Sequence, residues 1–280
     1  FGYGREYEEL FPLSKLGGIA TKGTTITKRN GNPSPRIAET PSGMLNSVGL
    51  QNPGIDKFIS VELPNLMTKD TVILANIAGS TAEECVEIAQ KLDKTDVHMI
   101  ELNISCPNVK QGGMAFGASC EGASGITKLV RKATSKPLVV KLSPNVTNIA
   151  EIAKAVEAEG ADAVSLINTV LGMRIDINTR RPVLKNNMGG MSGPAVFPIA
   201  VRMVWQTANA VNIPVIGMGG IASGEDAIEM MMAGASAVQV GAAIFTDPYA
   251  PVKIVDGINE FLDSHNISSV KDIIGTVKPW

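Results

Sequence analysis

Short apolar runs alternate along the chain with longer segments whose apolar positions recur every three to four residues, the signature of strands interleaved with amphipathic helices. The runs lie at residues 19–22, 72–78, 98–104, 138–142, 163–168, 215–218 and 237–240. The intervening segments have readable helix ends. Ser80 with Glu83 makes a capping box before Cys85, Ile88, Ala89 and Leu92, which fall on one helical face. Thr147 is placed to cap a helix whose apolar face is Ile149, Ile152, Ala153 and Val156, closed by Gly160. Ser223 and Asp226 repeat the arrangement before Ala227, Ile228, Met231 and Met232, with Gly234 after them.

Strand–helix units of this number and size predict a single α/β domain over 1–280, a (β/α)8 barrel better than an open sheet. A barrel needs an eighth strand to close, and no strand pattern precedes Ile19. The expectation is a barrel lacking its N-terminal strand. Two insertions, 24–70 and 170–194, are rich in Gly, Pro and Asn and are read as long loops after strands, which in a barrel collect at the catalytic end.

Composition narrows the function classes. The chain has 280 residues, is 44% hydrophobic and has 25 basic against 27 acidic residues, with no block of like charge. Binding to nucleic acid or a membrane surface through bulk charge is disfavoured. No apolar run is long enough to span a bilayer and no leader pattern opens the sequence, so a cytoplasmic protein is expected. The three cysteines, Cys85, Cys106 and Cys120, show no C-x-x-C spacing, and no metal site is expected. Cys85 is read as a core residue and Cys120 as incidental.

Polar residues gather at the ends of successive strands: Lys22, Asn76, then Asn103, Cys106 and Asn108, Lys141, and finally Asn168 with Thr169. Singly, each Asn is explained by loop capping. Together they outline a pocket whose uncharged donors and acceptors suit a planar heterocycle. The stretch VIGMGGIASGEDAIEM at 215–230 and the bare strand end Val240-Gly241-Ala242-Ala243 place glycine-rich turns on the last two strands, where barrels hold a phosphate. A phosphate site beside a pocket for a flat ring points to FMN as the simplest cofactor. Lys141 is then placed to stabilise negative charge at the N1–C2 edge of the reduced ring.

The thiol of Cys106 has no histidine to activate it. Only two histidines occur; His98 opens its strand at the end opposite the pocket, and His265 lies in a late polar segment. A covalent Cys–His mechanism is disfavoured. An unassisted thiol, with a pKa near ~8.5, still serves as a general base.

The segments ELNISCPNVKQGGMAFG, ETPSGMLNSVGLQNPG, INTVLGMRIDINTRRPVL and GGMSGPA resemble the class 1 dihydroorotate dehydrogenases over essentially the whole chain. The loop at 101–117 looks like the class 1B form, the catalytic subunit of a NAD-linked complex. The resemblance implies an FMN-binding TIM barrel that oxidises (S)-dihydroorotate to orotate in pyrimidine biosynthesis. It assigns Cys106 as the base that takes the C5 proton while the C6 hydride passes to flavin N5. Substrate contacts implied in the same way are Lys22, Asn46, Ser47, Val48, Gly49, Leu50, Asn103, Asn168 and Thr169, with Asn108 brought in by closure of its loop. For FMN the resemblance implies Lys22, Gly23, Asn76, Asn103, Lys141, Ile167, Gly193, Gly219, Gly220, Gly241 and Ala242. It also implies a homodimer core and a partner subunit that holds FAD and a [2Fe–2S] cluster and passes electrons to NAD. Two departures stand out: the family's first strand is absent, and ASCEGASG at 118–125 replaces a more acidic stretch.

Three other readings stay open from the residues. A dihydrouridine synthase would need a basic surface for tRNA. A flavin-free barrel lyase would use the same phosphate site and form a Schiff base on Lys141. A non-catalytic scaffold would keep the phosphate site as a vestige.

Overall fold

The structure, a computed structural model, describes residues 2–105 and 116–280. All seven apolar runs form strands of one sheet: β1 (Gly18–Ala20), β2 (Val72–Ile77), β3 (Met99–Asn103), β4 (Leu138–Lys141), β5 (Ala163–Leu166), β6 (Val215–Met218) and β7 (Ala237–Gln239). Neighbours in space are neighbours in sequence, and every pair is parallel. A doubly wound open sheet reverses its strand order part-way. This one does not, and it wraps into a nearly closed barrel. Among the described residues no strand joins β7 to β1. An apolar slot of about 360 Å³ lies there instead, lined by Ile19, Val238, Val240, Ile254 and Ile258 among others.

The helices follow their strands: α1 (Ala82–Asp93), α2 (Cys120–Ala133), α3 (Ile149–Ala158), α4 (Phe197–Ala208), α5 (Gly224–Met232) and α6 (Ala250–Ser264). The Ser223–Asp226 box forms as expected, with the Asp226 amide donating to Ser223 Oγ at 3.1 Å and Asp226 Oδ2 accepting from the Ser223 amide at 3.0 Å. Two other starts lie one residue later than expected. Thr81, not Ser80, accepts from the Glu84 amide, and the Glu84 carboxylate reaches back to the Ser80 amide at 2.6 Å. Asn148, not Thr147, caps α3, because its carbonyl oxygen reaches both the Ala150 and Glu151 amides. The stretch ASCEGASG enters α2 with Ser119 as its cap, so its unusual composition does not prevent a helix.

Successive side chains on a strand point to opposite faces. The outward set, including Ile73, Ala75, Ile77, Ile100, Leu102, Val140, Val164 and Leu166, packs with the helices in the main core. The inward set begins as an apolar layer of Ala20, Leu74, Met99, Val139, Ala163 and Ile216. Two residues further along the strands, the same face carries Lys22, Asn76, Glu101, Lys141, Ser165 and Met218. The barrel is dry at one end and polar at the other.

The two insertions are not simple loops. Ile37–Thr40, Gly43–Asn46, Gly189–Ser192 and Val170–Gly172 pair antiparallel, in that order, into a four-stranded sheet that joins both insertions. Strands of three or four residues, three of the four containing glycine, have too little side-chain alternation to show in sequence.

Cys85 is fully packed in the core, and burial pushes its thiol up to about 12. Cys120 is exposed. At pH 8 only about one Cys85 thiol in ten thousand is ionised. Iodoacetamide is therefore expected to label Cys120 in the native protein and to reach Cys85 only after denaturation, which peptide mass spectrometry reads directly.

Candidate active site

The polar end of the barrel opens into a cavity of about 710 Å³. Its floor is Asn76, Glu101, Lys141 and Gln239, contributed by β2, β3, β4 and β7. Its walls are Ile167, Asn168 and Thr169 after β5, the glycine-rich turns Gly219 to Ala222 after β6 and Gly241 to Ala243 after β7, and Ser192 and Gly193. The short sheet closes one side through residues 39–44.

Of the residues expected around the cofactor, Asn76, Lys141, Ile167, Gly193, Gly219, Gly220, Gly241 and Ala242 line this one cavity. Asn168 and Thr169, expected at the substrate, line it too. Lys22, Gly23 and Asn103 lie beside it. Gly23 packs on Asn76 so closely that a Cβ there would sit 2.7 Å from Asn76 Oδ1. Asn103 Oδ1 accepts from Ser105 Oγ at 2.6 Å and from the Ser105 amide at 3.1 Å, and Asn168 Nδ2 donates to the same Ser105 hydroxyl. Thus β3 and β5 are linked through one serine.

Residues 46–50 are outside the cavity wall, on the short sheet and the loop after it. Asn46 Nδ2 donates to the Gly190 carbonyl at 3.5 Å. Ser47 and Val48 are held by the Asn32 side chain and amide, and the Leu50 carbonyl accepts from Asn52 Nδ2 at 2.7 Å. Gly49 and Leu50 both have positive φ, 78° and 54°, which fixes a sharp turn whose Leu50 side chain reaches Gly23. Cys106 and Asn108 lie outside the described residues.

Lys22 is the most perturbed cation near the site. Burial, and then the charge of Arg36, hold its ammonium below the usual lysine range. A buried lysine beside a second cation leaves a net positive spot that favours an anionic ligand. Neither histidine comes near: His98 accepts from the Ile73 amide at 3.0 Å at the opposite end of the barrel, and His265 stacks on Phe261.

The glycine turns suit a phosphate. Gly219, Gly220 and Gly193 have φ of 124°, 80° and 104°, conformations that side chains resist. At Gly220 a Cβ would lie 2.7 Å from Phe197 Cβ. At Gly241, with φ −122° and ψ −89°, a Cβ would meet nothing within 4 Å and would take up cavity space. Expected help from the α5 N-terminus is reduced, because Asp226 already takes the Ala222 and Ser223 amides.

A family model described as dihydroorotate dehydrogenase matches residues 1–262. The chain belongs to the dihydroorotate dehydrogenase family. It is 57% identical over 279 residues to a protein of Bacteroides thetaiotaomicron named dihydroorotate dehydrogenase B (NAD(+)), catalytic subunit, covering 99% of this chain and 92% of the relative. It is 55% identical to the Geobacillus sp. protein of the same name, over 98% and 88% of the two chains. These relatives place it in the class 1B branch of an oxidoreductase family that is flavin-dependent. A crystal structure of the Eimeria tenella enzyme in complex with ferulenol superposes with a TM-score of 0.79 at 22% identity, over 94% of this chain and 79% of that one, which shows the shared barrel fold.

Glu101, Ser165 and Gln239 were not among the residues expected from sequence. Their signal is the inward alternation that follows each apolar residue by two: Leu74 then Asn76, Met99 then Glu101, Val139 then Lys141, Ala163 then Ser165, Ala237 then Gln239. Residues 39–44 had no such signal.

Gly241→Ala puts a methyl group into the cavity where a Cβ meets no protein atom within 4 Å. The apoprotein is expected to fold and to melt within about 5 °C of wild type while flavin affinity falls at least about tenfold, about 1.4 kcal/mol. Titration of apoprotein with FMN checks this, and unchanged affinity would remove Gly241 from the cofactor site.

Proposed function

We propose that this protein is the FMN-bearing catalytic subunit of a NAD-linked dihydroorotate dehydrogenase, oxidising (S)-dihydroorotate to orotate in pyrimidine biosynthesis. The observation that carries the reading is the coexistence in one cavity of uncharged amides, a single lysine on the floor, and bare glycine turns at the far wall. The amides of Asn76 and Asn168 and the hydroxyl of Thr169 match the edge of a flavin ring or a dihydropyrimidine. Gly193, Gly219, Gly220, Gly241 and Ala242 offer backbone donors to a phosphate. FMN held there supplies the acceptor for the C6 hydride.

The protein's own residues do the rest. Lys22, with Arg36 behind it, binds the substrate carboxylate. Asn103 and Asn168, tied through Ser105, orient the ring amides, and Thr169, Asn108 and the 46–50 turn complete the enclosure. Cys106 takes the C5 proton as a general base; no histidine is needed, because hydride loss on the adjacent carbon drives proton removal. Electrons leave through a partner subunit with FAD and a [2Fe–2S] cluster, and the protein pairs with a second copy of itself to form the core of that complex. Ile37, Leu171, Met173, Ile175 and Ile177 are exposed on the two insertions, an apolar surface suited to burial in such an assembly. No described helix is long and apolar enough to cross a membrane.

The visible spectrum under anaerobic conditions tests the reading. Flavin absorbance that bleaches when dihydroorotate is added is the expected result. Yellow protein that fails to bleach would discard the substrate, and protein that takes up no FMN would turn the reading towards a lyase on Lys141.

Lys22 gives the pH dependence. Its folded pKa is lowered, so the ammonium is fully present below that value and lost as pH rises through it, earlier than for an exposed lysine. Orotate binding is expected to weaken over that alkaline window. Lys22→Met should bind about 10- to 100-fold more weakly at neutral pH, the worth of one charge-assisted hydrogen bond, and lose the Lys22 part of the alkaline dependence. Calorimetric titration from pH 7 to 10 measures both.

A further inference from the structure

Glu101 is the one carboxylate on the cavity floor, and it has no exposed surface. Its neighbours come from four other strands. Oε1 accepts from Ser165 Oγ on β5 at 2.7 Å and from Gln239 Nε2 on β7 at 3.4 Å. Oε2 accepts from Asn76 Nδ2 on β2 and faces Lys141 Nζ on β4 at 3.9 Å. As arranged, Ser165, Gln239 and Asn76 all donate to it and Lys141 can only donate. A carboxylate accepts through both oxygens and so satisfies all four without any of them turning.

The two oxygens divide the work. Oε1 is anchored by Ser165 and Gln239, which fixes the plane of the carboxylate. Oε2 then meets the two groups that touch the bound ring in the proposed function. By taking Asn76 Nδ2 it turns Asn76 Oδ1 towards Gly23, so that the amide presents an acceptor rather than a donor on that side. By standing beside Lys141 it offsets that cation in a place where water screens poorly. A buried ion pair is a weak source of stability. Its worth here lies in what it orients.

We infer that Glu101 is a positioning residue for the flavin: it sets which way Asn76 faces and limits the positive charge that Lys141 presents to the ring. This rests on the FMN reading above. The carboxylate does not itself touch the reacting atoms, so its removal should alter the properties of the bound cofactor before any effect on proton transfer.

Glu101→Gln keeps the shape and puts an amide donor among donors. The amides of Asn76 and Gln239 and the Ser165 hydroxyl must then rearrange around the new NH2 group, and Lys141 is left uncompensated. Two changes are expected in the full chain: FMN affinity of the apoprotein drops at least about tenfold, and at saturating FMN the midpoint potential rises by about 30 mV or more, equal to a tenfold preference for the reduced form. The potential rises because an uncompensated cation favours the negatively charged reduced ring. In a Lys141→Met background the same substitution should move the potential by less than about half as much, since the two charges act on one another.

Glu101→Gln protein with wild-type affinity and potential would overturn the inference, as would an equal potential shift in both backgrounds. If Glu101→Gln does not fold, Ser165→Ala removes the shorter of the two hydrogen bonds that anchor Oε1 without touching the charge. It should lower FMN affinity several-fold with apoprotein melting unchanged, and unchanged affinity would likewise overturn the inference. Wild-type protein that binds no FMN would instead overturn the cofactor reading beneath it.

Discussion

The inside of the barrel changes from hydrocarbon to hydrogen-bonding groups over a single two-residue step, and the rest of the structure depends on that boundary. Below it, Leu74, Val139 and Ala163 pack together inside the barrel with Met99 and Ile216 against them. Above it, the same faces carry Asn76, Glu101, Lys141 and Ser165, which neither pack like hydrocarbon nor tolerate burial without partners. The polar layer is tolerable because each member finds another across the barrel. Within β2–β3 and within β4–β5 the step comes in register, Asn76 beside Glu101 and Lys141 beside Ser165, whereas β4 is offset from β3 so that Glu101 lies beside Val139, the stagger that goes with strands tilted in a barrel.

The insertions after β1 and β5 meet above that boundary. Neither is an independent unit: each contributes two short strands, and the central pairing of Gly43–Asn46 with Gly189–Ser192 ties them together. Glycines are needed at the junction, since a Cβ on Gly43 would fall 2.1 Å from the Ser192 carbonyl oxygen. The wall of the cavity opposite the glycine turns is therefore made by chain segments far apart in sequence, and its shape depends on their pairing.

Much of this was legible in the sequence. Strand positions followed from apolar runs, and Asn76, Lys141, Asn168 and the last two glycine turns followed from their place at strand ends. Helix starts were legible to within a residue, because Ser80 and Thr81, or Thr147 and Asn148, are adjacent capping residues and only three-dimensional reach decides between them. Glu101 was hidden by its setting, a lone charge in an apolar run, which reads as strand without revealing the face. Comparison of several strands in register exposes it. The wall at 39–44 was not legible, because its role comes from pairing between distant short strands rather than from any local pattern.

Among the described residues the hydrogen-bonded ladder of the barrel runs from β1 round to β7, with an apolar slot between the two. Around most of the circumference hydrogen bonds fix the strand spacing to a few tenths of an ångström. The slot is lined by Pro251, Ile254, Val255 and Ile258 of α6 together with Ile19, Val238 and Val240. Apolar contacts weaken on cooling, where hydrogen-bonded ladders change little. The glycine turn after β7 continues from the strand that shares this lining with α6, so the position of that turn in the cavity is coupled to a helix on the far side of the wall.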